Sequence, residues 1–136
     1  MILRIGHNAY RTENMEKALH FYCDILGFKK IFSLQKDDGA PWIEYVRIND
    51  TQFIELFYDA TKKVEIDADT IGYAHLCLEV DSIEDIVKEM HEKNIPIVSG
   101  PKQGKDLNWQ AWVVDPDGNR IEFMQLDPES PQAKNK

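Results

Sequence analysis

An order of elements written twice constrains this chain more than any single motif. Residues 3–11 read as a short strand, and Met15, Ala18, Leu19, Tyr22, Ile25 and Leu26 then recur with helical spacing until Gly27. Strands are expected over 28–34, 42–48 and 51–58, the last two joined by a turn at Asn49-Asp50. After a polar connector, 59–70, the same order begins again. Residues 73–80 read as a strand. Ser82, with Asp85 three residues on, signals a helix start; Ile83, Ile86, Val87 and Met90 supply its apolar face, and Asn94 and Pro96 end it. A strand begins at 96–98, and Gly100-Pro101 opens a loop holding Lys102 and Lys105. Residues 109–114 and 120–126 make a closing hairpin about Asp115-Pro116-Asp117-Gly118. The tail, 127–136, is polar and expected to fray. An internal repeat outranks single-element assignments. It divides residues 1–126 into a first module of about 1–58, the connector, and a second module of about 71–126.

Composition removes several function classes. The 136 residues suit one domain or two small halves, and 43% hydrophobic residues suffice for a core. A net charge of −8 argues against binding nucleic acid or an anionic membrane surface. No apolar run approaches the ~18 residues of a membrane span. Met1-Ile2-Leu3-Arg4 lacks the layout of a secretion signal. Cys23 and Cys77 are too few for a disulfide framework or a four-thiolate metal site, so a reducing cytoplasm with free thiols is the expected setting.

Two matched pairs of residues carry the chemistry. His7 and His75 stand in the first strands of the two modules, 68 residues apart, and Glu55 and Glu122 stand in the last strands, 67 apart. Glu55 interrupts Phe53-Ile54 and Leu56-Phe57, and Glu122 interrupts Ile121 and Phe123-Met124. A carboxylate shielded from water needs a compensating partner. Two neutral imidazoles and two carboxylates around one divalent cation make a formally neutral centre, so the repeat points to a metal site.

The sequence resembles the vicinal-oxygen-chelate superfamily, which includes glyoxalase I, glyoxalase/bleomycin-resistance proteins and extradiol dioxygenases. The resemblance rests on His7, the run Glu16-Lys17-Ala18-Leu19-His20-Phe21-Tyr22 leading to Leu26-Gly27-Phe28, the strand holding Glu55, Gly72-Tyr73-Ala74-His75-Leu76, and Asp115-Pro116-Asp117-Gly118 before Ile121-Glu122. It implies an α+β fold in which two βαβββ modules form a cupped, barrel-like mixed sheet. Extradiol dioxygenases match only His7, His75 and Glu122. The additional Glu55 is similar to the glyoxalase I set, which implies one divalent metal per site, nickel, cobalt or zinc, held by His7, Glu55, His75 and Glu122.

That branch implies a reaction. Glyoxalase I isomerises the hemithioacetal of a 2-oxoaldehyde, typically methylglyoxal, and a thiol, typically glutathione. The metal lies beside two vicinal oxygens and stabilises the enediolate formed when a proton leaves carbon. Glu122 is the expected base, with Glu55 a ligand that shares the role. Arg11, four residues after His7, matches an arginine that holds glutathione in that family, and strand alternation puts it on the face of His7. Asp59, four residues after Glu55, replaces an asparagine that contacts glutathione, so the thiol stays open. Lys102 and Lys105 either bind a substrate carboxylate or form a solvated loop. Trp42, Tyr45, Trp109 and Trp112 either wall the pocket, Trp109 being the chosen substrate contact, or serve as core. Cys77 shares the face of His75, and His20 and His91 are expected to be exposed. Small glyoxalase-like proteins are commonly homodimers with sites at the subunit contact, and the resemblance implies the same arrangement here. The rivals are an epimerase or isomerase for another vicinal-oxygen substrate, a non-catalytic antibiotic-binding protein, and a catechol dioxygenase.

Overall fold

At Asn14 the chain leaves its first strand, β1 (Asn8–Arg11), and enters its first helix, α1 (Met15–Leu19). The computed structural model describes residues 1–135. The Asn14 side chain accepts a hydrogen bond from the Lys17 amide at 3.0 Å, satisfying a donor that a helix start leaves unpaired. α1 runs directly into a π-helical stretch, His20–Ile25, after which the Leu26 amide donates to the Phe21 carbonyl five residues back. Gly27 ends the helix at φ +79°, a conformation that suits glycine. Met15, Ala18, Phe21, Tyr22 and Ile25 are buried.

Three strands follow: β2 (Lys29–Gln35), β3 (Pro41–Asn49) and β4 (Gln52–Phe57). The sheet order is β1-β4-β3-β2, with β1 parallel to β4 and the other pairs antiparallel. Val46, Ile54 and Leu56 are fully buried on one face of this sheet, and α1 packs against β4.

The chain divides into two compact units between Glu65 and Ile66. The second unit repeats the first. It contains β5 (Leu76–Glu79), α2 (Ile83–Glu92), β6 (Ser99–Gln103), β7 (Trp109–Val114) and β8 (Arg120–Gln125). Ser82 caps α2 by accepting from the Asp85 amide. The order β5-β8-β7-β6, with β5 parallel to β8, reproduces the first sheet. α2 packs on β6, β7 and β8, and Ala111, Val113, Ile121 and Phe123 are buried. The fold is therefore α+β, with two βαβββ modules that each build a four-stranded mixed sheet.

Several boundaries differ from those expected. The first strands start at Asn8 and Leu76, so His7 and His75 stand immediately before them. The cause is the partner strand: Asn8 aligns with Ile54 and Leu76 with Ile121, and upstream of these β4 and β8 soon reach their turns. Residues 3–5 and 73–74 thus have no ladder to join. Lys102 lies in β6, not in a loop. Gly100 permits this, because a side chain there would place its Cβ 2.5 Å from the Gln110 carbonyl oxygen. The tail does not fray over its described residues. The Asp127 amide donates to the buried Asn108 side chain, and buried Ser130 caps a short helix, α3 (Pro131–Lys134). Lys136 lies outside the described residues.

Glu44 on β3 is buried on the face of Val46 and Leu56. Its carboxylate accepts from the Ser33 hydroxyl at 2.6 Å, the Tyr58 hydroxyl at 2.7 Å and the Lys30 ammonium at 2.9 Å. Burial pushes its acidity down, but the three donors and the Lys30 charge outweigh burial and hold the pKa below the usual glutamate value. The bond to Glu44, with burial, pushes the Tyr58 pKa up to about 12. A carboxyl whose folded pKa is depressed stabilises the protein fully above its unfolded value and progressively less as pH falls through the folded value. The thermal midpoint of the wild type is therefore expected to fall more steeply than that of Glu44→Gln between about pH 5 and 3. At pH 7 the variant should lose about 1–2 kcal/mol in urea denaturation, Lys30 being too exposed to add much.

Candidate metal centre

Alternation along the last strand of each module places its glutamate opposite the core. In β4, Ile54 and Leu56 fill the core, so Phe53, Glu55 and Phe57 share the other face. In β8, Ile121 and Phe123 are buried, and Glu122 stands on the other face with Arg120. Parallel pairing with the first strand then brings in the histidines. His7 Nε2 lies 3.3 Å from Glu55 Oε2, and His75 Nε2 lies 3.0 Å from Glu122 Oε2. The carboxylates are largely shielded, at 16% and 15% side-chain exposure, whereas the imidazoles are more open at 42% and 35%.

The donor set fits a divalent cation. Imidazole nitrogen and carboxylate oxygen each bind zinc at about 2.0–2.2 Å, and two such donors at right angles stand about 3 Å apart. Both pairs have that separation, and both present Nε2 to the carboxylate. Each pair would supply two ligands. Among the described residues of neither unit do three or more His, Cys, Asp or Glu side chains assemble into a metal-binding group.

The neighbours of the two pairs differ. Tyr45 is the cross-strand partner of Glu55, and its hydroxyl lies 3.3 Å from His7 Nδ1. Burial, and secondarily the Glu55 charge, pushes the Tyr45 pKa up. Phe32 stacks on Tyr45 at 4.5 Å, and Phe53 lies 5.8 Å away. Trp112 is the cross-strand partner of Glu122, and its ring meets His75 edge-on at 4.7 Å. The Trp112 N–H donates to Gln110, and Arg120 covers the indole face at 4.6 Å. Cys77 aligns with Glu122 across the β5–β8 pair, and burial, then the Glu122 charge and hydrogen bond, pushes its thiol up to about 12.

The expected substrate contacts divide. Arg11 aligns with Phe57 and sits over its ring at 5.4 Å, on the face of Glu55. Asp59 follows β4 with a 73% exposed side chain, 3.7 Å from Lys36 Nζ. Lys102 is exposed on β6, and Trp109 is partly exposed at the start of β7, paired with Gln103 and Gln125. Trp112 is the indole that meets a histidine. The Tyr45 hydroxyl and Arg120 are the contacts that residue types alone did not reveal. Counting outward from the two hairpin turns pairs Tyr45 with Glu55 and Trp112 with Glu122, so that signal was present in the sequence.

A family model described as "Glyoxalase/Bleomycin resistance protein/Dioxygenase superfamily" matches residues 4–123. The chain belongs to this superfamily. A "Probable lactoylglutathione lyase" of Synechocystis sp. is 29% identical over 126 residues, covering 88% of this chain and 92% of the relative. A "Lactoylglutathione lyase" of Neisseria meningitidis serogroup B is 29% identical over 130 residues, covering 90% of this chain and 91% of its own. The crystal structure of a glyoxalase family protein from Enterococcus faecalis superposes with a TM-score of 0.79 at 21% identity, over 90% of this chain and 97% of that one. The likeness in structure bears out the fold expected from the repeat. No helix among the described residues is long and apolar enough to cross a membrane.

The cation–π contact offers a check on the second half-site of this superfamily member. Arg120→Met keeps the stem and removes the charge over Trp112. It is expected to lower stability by about 0.5–1 kcal/mol, read in urea denaturation.

Proposed function

We propose that this glyoxalase-superfamily chain is a metal-dependent lyase. It isomerises the hemithioacetal of a 2-oxoaldehyde such as methylglyoxal and a thiol to an S-2-hydroxyacyl thiol. The observation that carries the reading is the duplicated imidazole–carboxylate pair, at 3.3 and 3.0 Å in the two modules. The lyase names of relatives at 29% identity support it.

In this reading His7, Glu55, His75 and Glu122 together hold one nickel, cobalt or zinc ion. The bound ion supplies a Lewis acid for two adjacent substrate oxygens. Glu122 takes the proton from the carbon bearing hydroxyl and sulfur and returns it to the neighbouring carbon, and Glu55 shares that role. The C–H bond broken at one carbon is replaced by one at the next, and the hydroxyl and carbonyl exchange places without a net change in oxidation state. Arg11, held over Phe57, binds an anionic part of the thiol. Lys102 and Trp109 remain candidate substrate contacts. Asp59, drawn towards Lys36, leaves the identity of the thiol open. The protein acts in the cytoplasm as a homodimer with sites at the subunit contact. The exposed apolar side chains of Ile2, Leu3, Ile5, Ile71 and Tyr73 support a second copy as partner.

A second reading is a small-molecule-binding protein without turnover. The aromatic cluster beside His7, Phe32 stacked on Tyr45 with Phe53 tilted against it, favours it, because such a face suits a planar ligand, and the superfamily includes resistance proteins. An epimerase acting on a 2-substituted acyl thioester is the remaining alternative.

Elemental analysis with a methylglyoxal assay over glutathione, a bacillithiol-type thiol and no thiol separates these readings. The lyase predicts stoichiometric metal and an S-lactoylthiol product. Glu122→Gln should lower kcat by at least about 100-fold, the usual contribution of a positioned base. A metal-free protein with unaltered ligand affinity after Glu122→Gln selects the binding reading. Absence of the thioester product with every thiol tested overturns the lyase.

A further inference from the structure

The two half-sites share a plan, yet the residues directly across the hairpins from their glutamates differ in chemistry. Tyr45 and Trp112 occupy the same place in the repeat, each directly across the hairpin from the glutamate of its pair. Tyr45 brings a hydroxyl to 3.3 Å from His7 Nδ1. Trp112 meets the His75 ring edge-on, and its only donor is taken by Gln110. Phe32 stacked on Tyr45 at 4.5 Å, with Phe53 at 5.8 Å, restricts how far the phenol can swing.

We infer that Tyr45 is the positioning residue for His7, holding the ring by Nδ1 whether or not Nε2 carries a metal. The inference rests on the proposed metal site, and its first readout needs no metal. A carboxylate only accepts, so beside Glu55 a neutral imidazole carries its proton on Nε2 and donates it there. Nδ1 is then an acceptor, and the Tyr45 hydroxyl donates to it. A cation on Nε2 requires the lone pair at that nitrogen, so the imidazole proton moves to Nδ1 and Tyr45 becomes the acceptor. A phenol serves both states because it both donates and accepts. A phenylalanine at this place would serve neither. An outer partner of this kind fixes ring orientation and tautomer, and its loss typically weakens metal affinity by ten- to a hundredfold.

The test is Tyr45→Phe, which removes one oxygen and keeps the ring between Phe32 and Phe53. Long-range 15N–1H spectra of the metal-free full-length protein report the tautomer of each histidine. Wild-type His7 should show a single Nε2–H form. The variant should keep the Nε2–H form that Glu55 imposes but lose the hydrogen bond at Nδ1, read as a downfield shift of the His7 Nδ1 15N resonance with unchanged His75 signals. Competition with a chelator should then give about tenfold weaker Zn2+ binding in the variant. Identical His7 spectra in the two proteins, or Zn2+ affinity within twofold, would overturn the inference. A wild type that shows the single His7 form but binds no Zn2+ counts against the lyase reading, and the metal-free Nδ1 resonance still decides whether Tyr45 holds that nitrogen.

Discussion

In each module the first strand hydrogen-bonds to the fourth and runs parallel to it, and everything proposed for the site depends on that pairing. Two strands forty-odd residues apart in sequence become neighbours only because the helix and the hairpin return the chain to the same edge. The parallel register then aligns the start of one with the middle of the other. That alignment puts an imidazole beside a carboxylate without any local sequence motif linking them. The same register appears twice, one position apart in chain spacing, so the chemistry of the second module is a copy of the first at the level of backbone geometry.

The copy is not complete at the level of side chains. Tyr45 and Trp112 fill one structural position with different chemistry, a hydroxyl in the first module and an indole in the second. The carboxylates remain equally shielded while the surroundings of the imidazoles diverge. Burial of Ile54, Leu56, Ile121 and Phe123 on the covered faces explains why the carboxylates keep their places, since a shift by one residue would drive them into the core.

Much of this arrangement was legible in the sequence. Helical spacing gave way to alternation at Gly27 and again at Asn94, and the turns at Asn49-Asp50 and Asp115-Gly118 marked the hairpins, so the doubled order of elements and the His–Glu pairing within each module could be read. The strand-like side chains of Leu3, Ile5 and Tyr73 suggest longer first strands than the ladders support, because composition does not reveal where a partner strand ends. The π-helical stretch after Leu19 has no signature in residue type. The polarity of the tail suggests fraying, yet Ser130-Pro131 is a helix-start signal, and the acceptor that secures the tail, Asn108, lies far away in sequence. The role of the Tyr45 hydroxyl required register as well as residue type.

The early end of the β1 and β5 ladders has a consequence for the histidines. Each stands at the residue just upstream of the last paired position, which is set by how far the β3–β4 or β7–β8 hairpin extends before it turns. The hairpin loop thus works as a ruler. Lengthening both arms by two residues would give the upstream backbone new partners and draw His7 or His75 inside the sheet, whereas trimming them would leave the imidazole on an untethered leader. Loop length, a property usually free to drift, is in this molecule tied to where an imidazole is displayed.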